Sequence, residues 1–133
     1  MNLYWSQSKG QMTDDDGHAI ATGWAGNNKN PKWNPRKTPG KNCTAYEDMH
    51  NIGPLPRGLY KVGQWGPHPE LGELSATLTQ IDGETFGRDT FYIHGPDKDP
   101  EFYGEESRGC IVLPHDQRLK VAALNPTMVK VTA

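Results

Sequence analysis

Apolar and polar positions alternate with period two along much of this chain, which predicts short strands rather than long helices. Leu3 to Lys9 and His18 to Trp24 read as the two strands of an N-terminal hairpin, joined by the turn Thr13-Asp14-Asp15-Asp16-Gly17. Pro54 and Pro56 restrict the entry to Gly58–Trp65, which alternates as a half-buried strand. Leu74 to Ile81 sets Leu74, Ala76 and Leu78 on one face and Thr77 and Thr79 on the other, and both segments read as central strands of a sheet. Phe91–His94 is a further strand, and Met128–Val131 closes the chain as the last one. Helical spacing is confined to His115–Leu124, with Pro114 suited to its first turn and Asn125-Pro126 ending it. The long polar stretch Ala25 to Asn42 has Trp33 as its one large apolar side chain, and Pro96 to Glu106 is a second polar loop.

With 133 residues and no internal repeat or linker, positions 1–133 form one domain, large enough to bury about two thirds of its unfolded surface. Hydrophobic content of 34% with 15 Gly and 11 Pro implies many turns and short elements, hence an α+β, β-dominated domain with one short helix. A formal charge of -2 supplies no general field for nucleic acid or anionic lipid, so neither is an expected partner. Lys29, Lys32, Arg36, Lys37 and Lys41 do gather in one loop, which is either a solvated surface or a site for an acidic ligand. No apolar run has the length that spans a bilayer, and no basic start precedes an apolar run, so neither membrane insertion nor a signal peptide is expected.

Chemistry concentrates where two apolar segments meet polar turns: Phe91-Tyr92-Ile93-His94-Gly95 and Ser107-Arg108-Gly109-Cys110-Ile111-Val112-Leu113. A free thiol is mostly protonated at neutral pH and needs a base to become a nucleophile, and His94 can be that base. Cys110 follows a polar turn instead of lying within an apolar stripe, which favours this over the alternative of a small buried hydrophobe. The amides of Gly109 and Cys110 can cradle an oxyanion, and Ser107 can brace the turn or polarise a substrate carbonyl. The group that orients His94 is left open, Gly95 being able to act only through its carbonyl. Gly95, Arg108 and Trp33 are candidate substrate contacts: Arg108 as a fork for a carboxylate or a cation near the thiol, Trp33 as an anchor or a flat face for sugar rings. Asp97, Asp99, Glu101, Glu105 and Glu106 read as the solvated edge of a lid. Cys43 and Cys110 allow one disulfide, which would make Cys110 structural, but Cys43 lies in a polar loop with no matching pattern.

The order of these parts, a strand ending in Ile-His-Gly and then Ser-x-Gly-Cys followed by apolar residues, resembles the active-site signature of L,D-transpeptidases. Where their common motif has His before Gly-Cys this chain has Arg108, which is closer to the divergent type VI secretion L,D-transpeptidase effectors. Asn51-Ile52-Gly53-Pro54-Leu55-Pro56-Arg57-Gly58-Leu59-Tyr60 resembles the Gly-Pro-Ile-Pro-x-Gly-x-Tyr segment of that branch, and Tyr4–Gly10 and Thr22–Asn27 resemble its first strands and loop. The resemblance implies a transpeptidase-like catalytic fold and a cofactor-free cysteine acyl transferase or L,D-carboxypeptidase acting on peptidoglycan stem peptides. It further implies delivery by a secretion machine into a target periplasm and a possible immunity protein. Rival readings remain. A phage or housekeeping wall enzyme would carry the same residues, and a cysteine peptidase of the opposite order would pair Cys43 with His94 or Cys110 with His115. A non-catalytic wall-binding module would keep the fold alone, and a zinc site would use Cys110, His94 and His115 with Cys43 or His50.

Overall fold

A computed structural model describes residues 1–28, 40–69, 71–96 and 107–133. Trp33 and the acidic residues between Asp97 and Glu106 fall outside the described residues, as do Lys29, Lys32, Arg36 and Lys37.

The expected N-terminal hairpin is a three-stranded meander. β1 (Asn2–Ser6) turns after five residues because the Ser6 carbonyl accepts from the Gly10 amide at 3.0 Å and Ser6 Oγ accepts from the Lys9 amide at 3.2 Å. β2 (Gln11–Thr13) returns beside it, and Asp14 Oδ1 then accepts the amides of Asp16 and His18, both at 2.9 Å, to form the turn into β3 (Ala19–Thr22). β4 (Trp24–Ala25) leaves this meander altogether and pairs elsewhere.

β5 (Gly58–Val62) is shorter than its apolar pattern predicts, and Gly66–His68 forms a separate short strand, β6, paired only with β7 (Gly72–Asp82). β8 (Phe91–His94) falls where the sequence predicts it, followed by β9 (Ile111–Val112) and, after α1, β10 (Met128–Thr132). The main sheet runs β3-β2-β1-β10-β5-β7-β8-β9-β4. Its pairs are antiparallel except β1 with β10 and β8 with β9. The sheet's two ends, β3 and β4, are joined in the chain by Gly23 alone, so the sheet nearly closes on itself. A side chain at Gly23 would collide with the Val112 carbonyl and Leu113, and its amide donates to the Gly10 carbonyl at 2.9 Å.

Inside lie Leu3, Trp5, Met12, Tyr60, Ile93, Ile111, Leu113, Val121 and Val129, all fully buried. α1 (His115–Leu124) is the predicted helix to the residue. Pro114 precedes it in an extended conformation, and Asn125, left-handed at φ 47°, ends it by donating its amide to the Ala122 carbonyl at 3.0 Å. Val121 seats it on the core, and Gln117 Oε1 accepts the Thr22 amide on β3 at 3.1 Å. No helix of the described residues is long and apolar enough to cross a membrane.

Candidate active site

β8 and β9 lie side by side in parallel, with Ile93 opposite Ile111 and His94 opposite Val112. The Leu113 amide extends the ladder by donating to the His94 carbonyl at 2.9 Å. Cys110, the residue before β9, therefore enters the sheet on the strand next to the one His94 ends. The His94 ring is 4% exposed, and its Nδ1 lies 2.8 Å from the Gly95 carbonyl. A carbonyl only accepts, so Nδ1 carries the proton and Nε2 is left as the acceptor, which a base requires. Burial, reinforced by Arg118 and His68, holds the imidazole below its ordinary pKa, against the opposing effect of the Gly95 contact. The ring is neutral at neutral pH, and the group that orients it is the Gly95 carbonyl.

The turn that delivers Cys110 is built around the Ser107 hydroxyl. Ser107 Oγ donates to the Cys110 carbonyl at 2.6 Å and accepts from the amides of Gly26 at 2.9 Å and Gly109 at 3.1 Å. Asn27 Nδ2 donates to the Ser107 carbonyl at 2.7 Å, and the Gly109 carbonyl accepts the Leu55 amide at 2.9 Å. Two expectations change here. Ser107 is fully buried with its hydrogen-bonding positions filled, which is the geometry of a brace and leaves nothing for a substrate carbonyl. The Gly109 amide is spent on that brace, so of the expected oxyanion pair only the Cys110 amide is left.

Both cysteines are free thiols, and Cys110 is half-buried. Its Sγ lies 4.0 Å from the Thr90 carbonyl. Burial pushes the thiol up to about 11, opposed by the amides of Tyr92 and Cys110 and by the nearby Arg88 guanidinium. At rest the thiol is thus protonated. A cavity of about 310 Å³ opens on one side of it, walled by His50, Asn51, Arg88, Asp89, Thr90 and Arg108 among others; His94 is not part of that wall.

Two buried arginines hold this site together, and neither announces itself in the sequence. Arg88, 5% exposed, donates to the carbonyls of Glu47 at 2.6 Å, Pro54 at 2.7 Å, Gly53 at 2.9 Å and Arg108 at 3.0 Å, and stacks 5.4 Å from the Phe91 ring centre. Arg118, 7% exposed, ties α1 to the carbonyls of Leu113 at 3.0 Å and Leu74 at 2.9 Å. The glycines expected to open the backbone to substrate make room for these side chains. A Cβ on Gly109, where φ is +132°, would sit 2.5 Å from the Arg88 guanidinium, and one on Gly95 would sit 2.6 Å from that of Arg118.

Of the other expected residues, Arg108 is exposed at the cavity and Trp33 lies outside the described residues. The rival zinc ligands do not come together: the one group of three ligand-type side chains among the described residues is Asp14, Asp16 and His18, on the turn between β2 and β3. No family model matches the chain, and no curated protein matches it. Among solved structures, it is similar to an L,D-transpeptidase from Mycobacterium smegmatis at 17% identity and a TM-score of 0.48. The likeness covers 99% of this chain and 58% of that one.

Proposed function

We propose that this chain is a cysteine acyl transferase of peptidoglycan, with L,D-transpeptidase, exchange or L,D-carboxypeptidase activity on stem tetrapeptides. The observation that carries the reading is the His94 ring, held by the Gly95 carbonyl with Nε2 as acceptor, on the strand beside the one that Cys110 opens. In the proposed reaction Nε2 takes the thiol proton as sulfur attacks the carbonyl of the third stem residue. The carbon–nitrogen bond to the terminal D-amino acid breaks, His94 returns the proton to the departing amine, and a thioester remains on Cys110. Water then releases the tripeptide, or an amine takes the acyl group. Because both partners start neutral, most of the thiolate that reacts is formed as the attack proceeds. Incubation with purified tetrapeptide muropeptides followed by mass spectrometry is expected to yield tripeptides, exchanged D-amino acids or cross-links; unchanged muropeptides across pH and donors would refute it.

We further propose that the enzyme acts as an antibacterial effector, carried by a secretion machine into a target periplasm and blocked there by an immunity protein. The support is the effector-like Ser107-Arg108-Gly109-Cys110 motif. Expression with a periplasmic export signal is expected to distort cell shape and kill, whereas the same chain in the cytoplasm is harmless. Toxicity in the cytoplasm, or toxicity that survives Cys110→Ala, would refute this.

A further inference from the structure

Among the described residues, the lining of the cavity beside Cys110 carries more positive than negative charge, which the acyl-transfer reading does not use. Arg88 lies in its wall with every hydrogen bond ending on a backbone carbonyl, so no carboxylate neutralises it; Glu47 and Asp48 act on it only through space. Arg108 stands in the same wall, exposed, and its guanidinium has no hydrogen bond or ion pair among the described residues. Among the described lining residues one carboxylate stands against these, Asp89, which accepts from Thr90 Oγ1 at 3.1 Å. His50 also lines the cavity, its Nε2 3.0 Å from the Phe86 carbonyl.

From this arrangement we infer that the cavity is a carboxylate subsite abutting the nucleophile, with Arg108 as its fork and Arg88 as a fixed charge beneath. The four Nη–H groups of Arg88 are spent on carbonyls, so it acts chiefly through its field, whereas the exposed guanidinium of Arg108 can close on both oxygens of a planar anion. A carboxylate held against Sγ belongs to a residue next to the bond under attack, so the acyl donor would carry a free carboxyl terminus one residue beyond that bond. This last step rests on Cys110 as the acyl-transfer nucleophile; the anion subsite itself does not.

Alkylation separates the two. Iodoacetate and iodoacetamide undergo the same displacement, the thiolate sulfur forming a bond to carbon as iodide leaves, and they differ in one negative charge. The ratio of their rates at one cysteine and one pH cancels the thiolate fraction, so the raised thiol pKa drops out, and the uncharged thiol N-acetylcysteinamide supplies the unassisted ratio. The iodoacetate:iodoacetamide ratio at Cys110, read by peptide mass spectrometry, is expected to exceed that of the model thiol by about tenfold at low salt. It is expected to shrink as salt screens the field, to fall toward the model-thiol value in Arg108→Gln, and to rise in Asp89→Asn. A ratio at Cys110 equal to that of the model thiol, or one indifferent to Arg108→Gln, would overturn the subsite. Muropeptide turnover with equal ratios would leave the acyl transferase standing without this subsite, and a raised ratio with no turnover would do the reverse.

Discussion

Replacing Arg88 by Met tests whether this buried cation organises the site. The guanidinium joins three carbonyls of the segment 47–54 to the Arg108 carbonyl in the Cys turn, at 2.6 to 3.0 Å. Met keeps the length and packing and removes every donor. Hydrogen bonds to a charged group are worth about 1.5 to 3 kcal/mol each, but water entering from the cavity re-satisfies some of the carbonyls, and about 1 kcal/mol apiece is the fitting figure. Relief from burying a charge returns part of the total, leaving a net loss of about 3 kcal/mol. For a domain of this size that lowers Tm by about 10 °C. Removing the cation also takes away one of the influences that favour the Cys110 thiolate, so iodoacetamide labelling of Cys110 at pH 8 should slow while that of Cys43 does not change. Arg88→Lys keeps the charge but reaches fewer carbonyls; it should melt between the other two proteins and label nearly as wild type. A Tm within about 3 °C of wild type, equivalent to about 1 kcal/mol, together with unchanged labelling, would refute this account of Arg88.

Cys110→Ala and His94→Ala should each abolish muropeptide turnover while leaving circular dichroism spectra unchanged, because groups acting as a unit fail together, and Cys43→Ser should retain activity. Gly95→Ala puts a methyl group 2.6 Å from the Arg118 guanidinium and should cost about 1 to 3 kcal/mol in urea unfolding. Ser107→Ala strands the Gly26 and Gly109 amides and should cost about 2 kcal/mol, with Cys110 labelling less selective as the turn loosens. A pH series tests the thiol. Its native pKa is raised from 9.0 to about 11, so the unfolded chain loses its proton first and the stability this contributes below pH 9 is lost as pH rises to about 11. Wild type should therefore lose about 2 kcal/mol relative to Cys110→Ala across that interval, and parallel stability curves for the two proteins would refute the shift.

What the sequence made legible is what local chemistry decides. β8 stops at His94-Gly95, and α1 is bracketed by Pro114 and Asn125-Pro126, so each is readable from its own punctuation. β2 was hidden because it is three residues long with Met12 its one apolar side chain, and because the alternation of the first strand reads on through Gln7 to Lys9, past its end at Ser6. Gln7 is a polar residue 0% exposed, held by Glu47 Oε1 at 3.1 Å and the Leu55 carbonyl at 3.0 Å, contacts some forty residues away in the chain that no periodicity encodes. The departure of β4 to the far edge of the sheet is likewise a consequence of closure, and Gly23 is its one trace in the sequence.

The buried arginines were illegible for a stronger reason. Phe86-Gly87-Arg88-Asp89-Thr90 has the composition of an exposed turn, and a cation is expected in water unless partners replace its hydration. Those partners are carbonyls from the segment 47–54 and from the Cys turn, which become neighbours only after β5, β7, β8 and β9 have assembled. The dependence also runs the other way. The Cys turn holds its shape through Ser107, Asn27 and Arg88, so the placement of Cys110 just before β9 depends on residues drawn from three distant parts of the chain. Gly95 and Gly109 follow from this: each leaves the volume that an arginine fills, and through those arginines packing density at the back of the site is coupled to the electrostatics at its front.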